Sequence, residues 1–172
     1  IRQTIFSISP NDSNKMMAGE LLEVKDDFLK VVSLDGHRIS IRNIQLKEHY
    51  DNHKVIVPGK TLSEISKILT GDNEKEVLIY FSKNHILFEF DDTVVVSRLI
   101  DGEYFKIDHM LSSDYETRVK LNKRDFMDNI DRAMILIRDS DRKPIIMNVE
   151  DNNVNMKVKS AFGSMNANVP AH

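Results

Sequence analysis

The residues that could do chemistry gather around one turn. Residues 33–40 read SLDGHRIS, so Ser33, Asp35 and His37 supply the group types of a nucleophile, an orienting acid and a base. Their spacing argues against that use. Side chains at i, i+2 and i+4 around a tight turn cannot align nucleophile to base and base to acid through the required hydrogen bonds. A small hydrolase using Asp35 and His37, or Asp35 and His109, is the alternative these groups leave open. His49 and His53 stand four apart, but in a polar connector close to Pro58, without an HExxH motif or a companion carboxylate cluster. No metal and no other cofactor is expected. The sequence has no nucleophile elbow, phosphate-binding glycine loop, dinucleotide fingerprint or kinase signature. What remains is a recognition surface, with Lys60, Lys67, Lys123 and Arg124 on or near the outer faces of two helices and carboxylates interspersed among them.

Composition narrows the partners. With 41% hydrophobic residues over 172 positions, the chain can bury a core. It has no cysteine, so a disulfide framework and a thiolate zinc site are excluded. Runs such as TVVVS and ILFEF fall far short of the ~20 residues that span a bilayer, and no signal-peptide pattern opens the chain. A soluble, cytoplasmic protein that avoids membranes is expected. The net charge of −3 argues against wholesale coating of nucleic acid and leaves room for a local basic face.

The elements follow from periodicity and turn residues. IRQTIFSIS spaces Ile1, Ile5 and Ile8 like the tail of a helix. AGELLEV, FLKVVSL and RISIR read as a three-stranded meander, with Asp35-Gly36 predicting a tight type I′ hairpin turn. KVIVPGK is a short strand, followed by a helix near 61–70 with Leu62, Ile65 and Leu69 inward. Thr61 and Glu64 have the spacing of a capping box. EVLIYF, HILFEF and TVVVSRL are then three strands. The pattern restarts with the strand RVKL, Asn122 as N-cap, and a helix near 123–138 carrying Phe126, Ile130, Ala133 and Ile137 on one stripe. IIMNVE and NVNMKVK form a hairpin across DNN. Strand aligns on strand and helix on helix between the two stretches, which marks an internal repeat. The only boundary is the polar SSDYET stretch at 112–117.

Four collinear stretches, LDGHRISI, VIVPGKTLSEISKIL, VSRLIDGEY and VKLNKRDFMDNIDRAMIL, resemble the bacterial sliding clamps, the β subunits of DNA polymerase III. The resemblance implies an α+β DNA-clamp fold, with repeated strand-helix-strand half-domains, antiparallel sheets and helices on one face. It implies a fragment: residues 1–112 as the middle clamp domain without its first strand and most of its first helix, and 113–172 as the N-terminal half of the third. In that family two chains close a homodimeric ring that slides on duplex DNA without reading sequence. The polymerase III catalytic subunit, the clamp loader and repair proteins dock on it through a short linear peptide.

By the same resemblance, Met17, Leu34, Gly36, His37, Arg38, Ile39, Phe105, His109 and Met110 would form the peptide-binding pocket. Leu34 stands where a small polar residue is common and Phe105 where a proline is common, and both make the pocket greasier. Asn11 and Lys15 would face DNA, as would Lys60, Lys67, Lys123 and Arg124. No catalytic residue is implied.

Overall fold

Two long antiparallel strands, β1 (Gly19–Leu34) and β2 (Ile39–Pro58), form a sheet of their own. The expected three-stranded meander and the strand before Pro58 are thus merged. Register shifts flank Asp26, which takes a positive φ of 56°. A bulge changes which side chains point inward. Leu22 and Val24 before it therefore share a core with Leu29 and Val31 after it, although their parities differ. The computed structural model describes residues 1–9, 14–69, 76–111, 114–138, 140 and 143–172.

Helix α1 (Gly59–Ile68) buries Leu62 and Ile65 against β1 and β2. It begins three residues earlier than the capping-box reading, which makes Thr61 the N-cap. Pro58 is its N-cap and supplies no side-chain bond. Thr61 Oγ1 instead pairs with Ser97 Oγ at 2.9 Å, and Glu64 meets Lys67 at 2.8 Å. Strands β3 (Leu78–Phe81), β4 (His85–Phe90) and β5 (Thr93–Arg98) form an antiparallel sheet in that order, and Ile86, Phe88 and Phe90 complete the core. The N-terminal stretch forms only a 3-10 turn at Ile5–Ser7, where a helix tail was expected.

The chain divides into two compact units, Ile1–Ile107 and Asp108–His172. The division falls a few residues before the expected boundary at 112. In the second unit, α2 (Lys123–Ile135) starts where the sequence places it, because Asn122 Oδ1 accepts the N–H groups of Arg124 at 2.9 Å and Asp125 at 3.3 Å. Strands β6 (Ile146–Glu150), β7 (Asn153–Ser160) and β8 (Gly163–Pro170) form its antiparallel sheet. Val154, Met156, Val169 and Ala171 pack there with Phe126 and Ile130. RVKL, expected as a strand, contributes only an isolated bridge from Leu121 to Ala171. Strand β8 was not anticipated. Each unit nonetheless repeats one order, a helix followed by a three-stranded antiparallel meander.

Candidate functional site

The turn between β1 and β2 is a four-residue loop, Asp35–Arg38, closed by Asp35 N–H to the Arg38 carbonyl at 3.0 Å. Leu34 and Ile39 pair directly beneath it. Neither Asp35 nor Gly36 adopts a positive φ, so the type I′ turn does not form. The aspartate side chain does the closing. Its Oδ1 accepts the backbone N–H of His37 at 2.8 Å and of Arg38 at 3.0 Å, while Oδ2 accepts from Arg38 Nε at 2.9 Å. The His37 N–H above all, with the Arg38 N–H and guanidinium, holds the Asp35 carboxyl below the usual carboxylate range despite some desolvation. Gly36, His37 and Arg38 stay exposed, and the Arg38 guanidinium lies 5.8 Å from the centre of the Phe6 ring.

This arrangement removes the reason for reading Ser33, Asp35 and His37 as a catalytic set. Asp35 is engaged by backbone N–H groups and by Arg38, and Ser33 Oγ is buried and donates to the Thr4 carbonyl. His53 stacks on Phe81, with ring centres 4.8 Å apart and planes 5° apart. Among the described residues, no group of three or more His, Cys, Asp or Glu side chains is placed to hold a metal.

Below the loop lies an apolar cluster. Leu34, 3% exposed, is buried in it with Leu21, Val32, Ile56, Tyr104 and Ile107, and Met17, Ile39 and Phe105 pack partly exposed around its edge. Four of the nine expected pocket residues therefore share one cluster, with the exposed Gly36, His37 and Arg38 at the adjoining loop. Met17 is placed by a 3-10 turn, Lys15–Ala18, in which Asn14 Oδ1 accepts the Met16 N–H at 3.0 Å, and the Met17 carbonyl accepts the Ser9 N–H at 2.8 Å. Phe105 is placed by the segment after β5, where Gly102 takes a φ of 137° and Met16 packs against its open side. His109 and Met110 belong to the second unit, where Met110 is 55% exposed.

Tyr104 was not singled out from the sequence. Its ring sits edge-on to Phe105 at 5.7 Å, and its hydroxyl donates to the Val32 carbonyl at 3.3 Å. Burial first, and the nearby Glu20 second, push its phenol far above the ordinary range. The only sequence signal for it was its position beside Phe105 after the LIDG turn.

Of the cations expected to face DNA, Lys15, Lys60 and Lys67 are exposed in the first unit, Lys67 at 2.8 Å from Glu64, and Lys123 and Arg124 are exposed in the second. Asn11 lies outside the described residues.

Residues 1–106 match the family model described as the DNA polymerase III beta subunit, central domain. That stretch holds the loop, Met17 and Phe105. The chain belongs to the DNA polymerase III beta subunit family. It is 30% identical over 173 residues to the beta sliding clamp of Staphylococcus aureus strain N315, covering 100% of this chain and 46% of that protein. To the beta sliding clamp of Staphylococcus epidermidis strain ATCC 12228 it is 34% identical over 139 residues, covering 81% of this chain and 37% of that protein. Among solved structures, a protein described as a DNA polymerase III beta subunit from Eubacterium rectale ATCC 33656 superposes with a TM-score of 0.94 at 60% identity. That match covers 99% of this chain and 46% of the other. The DNA polymerase sliding clamp from Bacillus subtilis gives 0.86 at 27% identity, covering 99% and 45%. The chain thus spans less than half the length of these beta-subunit relatives, and its α+β clamp fold is theirs. Among the described residues no helix is long and apolar enough to cross a membrane.

Proposed function

We propose that this chain is part of a DNA sliding clamp, a processivity factor without catalytic activity of its own that works in the bacterial cytoplasm. In this reading residues 1–112 correspond to the middle domain and 113–172 to the first half of the third. The complete protein closes as a homodimeric ring around duplex DNA. The polymerase III catalytic subunit, the clamp loader and repair proteins dock through a linear peptide at Met17, Leu34, Gly36, His37, Arg38, Ile39 and Phe105. The observation that carries the reading is the apolar cluster edged by Met17, Ile39 and Phe105 beneath an exposed Arg-bearing loop, inside the stretch matched by the central-domain model.

Such a surface suits a peptide with apolar anchors, because buried area supplies affinity while a few polar groups fix direction. Tethering then acts through effective concentration: a polymerase held beside its template meets the next primer end without diffusing away. Lys15, Lys60, Lys67, Lys123 and Arg124 would touch phosphates loosely and read no bases, which permits sliding.

Titration of the chain with labelled duplexes of unrelated sequence, at low and physiological salt, tests the reading. Weak, salt-sensitive binding that ignores sequence is expected. Tight, sequence-selective binding at physiological salt, or turnover of ester or phosphoester substrates by the purified chain, would overturn it.

A further inference from the structure

Glu20 in β1 is fully buried, and it is the only charged side chain buried among the described residues. It lies opposite Val57 in the ladder, two residues from Leu22 and so on the same face of the strand. Its carboxyl faces the hydroxyls of Thr4 and Ser33, both also fully buried. Neither hydroxyl has a proton to spare. Thr4 Oγ1 donates to the Ile1 carbonyl at 2.9 Å, and Ser33 Oγ donates to the Thr4 carbonyl. Both Glu20 oxygens accordingly lack a donor.

An ionised carboxylate can only accept hydrogen bonds, and stranding one in an apolar interior carries a heavy desolvation penalty. A protonated carboxyl is itself a donor, and the Thr4 and Ser33 oxygens still have lone pairs to accept with. The other titratable groups facing Glu20 are the α-amino group of Ile1 and the phenol of Tyr104. Burial raises Glu20 above the usual carboxylate value, outweighing the Thr4 hydroxyl first, then the amino group and the Ser33 hydroxyl, whose proximity favours the ionised form.

We propose that Glu20 is held as an uncharged acid that donates its proton to the hydroxyl oxygen of Thr4 or Ser33, making a pH-sensitive latch between the N-terminal segment and the strand that runs into the Asp35–Arg38 loop. Ser33 precedes the cluster residue Leu34, so the latch ties the N-terminal segment to β1, while a separate contact, Ser7 Oγ to Ser40 Oγ at 2.6 Å, ties that segment to β2. The inference does not depend on the clamp reading. Folding retains a proton that the unfolded chain releases above its ordinary value of 4.5. The latch is therefore at full strength below that value and is lost as pH rises through the raised folded value.

Thermal unfolding of the chain and of Glu20→Gln, from about pH 5 to about pH 9, tests this through linkage. Glutamine keeps the shape, donates a hydrogen bond and cannot ionise. The variant should melt close to the parent at the acid end and about 4 °C or more above it at the alkaline end. A difference that stays constant with pH, or a variant that melts lower at the alkaline end, would overturn the proposal. A second measurement needs no variant. With ¹³C-labelled glutamate, the Glu20 carboxyl should titrate above every other glutamate in the chain, and the amide resonances of Thr4 and Ser33 should move with the same midpoint. If all glutamate carboxyls titrate together in the ordinary range, Glu20 is not the acid described here.

Discussion

Asp35 organises the loop through its side chain, although the adjacent glycine is the residue that announces a turn. The Asp-Gly pair makes the turn legible in the sequence, and the exposure of His37 and Arg38 follows from standing at a loop tip. The turn type was not legible, because a four-residue loop relieves the need for positive φ that a two-residue turn imposes. Asp35→Ala should speed amide hydrogen exchange at His37 and Arg38 and free the Arg38 guanidinium, leaving the strand pairing beyond Ser33 and Ser40 intact. Since the folded carboxyl sits below its ordinary value, its contribution is present at neutral pH. That contribution should fade as acid carries the chain through the folded value, and the two amides should lose protection over that range in the parent alone. Glu20 shows the opposite limit of sequence reading. Both faces of β1 are covered, by one core containing Leu22 and another containing Leu21, so alternation alone cannot say that a glutamate beside them is buried.

At the scale of elements, helix starts separate the legible from the hidden. Asn122 caps α2 as its position suggests, and Asn122→Ala should cost about 1 kcal/mol, read from urea unfolding followed by a probe in the second unit. Thr61 has the same kind of signature, yet it lies inside α1. The helix reaches back to Gly59, a position that must be glycine because a Cβ would run into Ile8 and stand 2.9 Å from the Ala18 carbonyl. That constraint comes from residues far away in sequence, so no local pattern could reveal it. Thr61→Ala should accordingly behave as the loss of a hydroxyl pair with Ser97 rather than of a cap. Truncating Ile65, 1% exposed in the core, to alanine should cost about 2–5 kcal/mol by the same urea measurement. The merging of β1 and β2 was equally hidden, since the Asp26 bulge interrupts the alternation without ending the ladder.

For the molecule as a whole, the internal repeat was legible because an apolar strand pattern leading into an amphipathic helix occurs twice, and each unit does fold as a helix followed by three strands, the last of which, β8, the pattern did not announce. The apolar cluster was legible only through the resemblance. Met17, Leu34, Ile39 and Phe105 are distant in sequence, and nothing in their local patterns says that they meet. The central claim is that this cluster and the loop above it capture a peptide. Its most direct test is an amide NMR titration of the chain with a short peptide carrying leucine and phenylalanine anchors, repeated with Arg38→Glu. The account predicts shifts concentrated at Met17, Gly36, His37, Ile39 and Phe105, and their loss in the variant, where an unpaired carboxylate faces the peptide's apolar anchors. An unchanged spectrum at saturating peptide, or shifts confined to residues away from the loop and cluster, would contradict it.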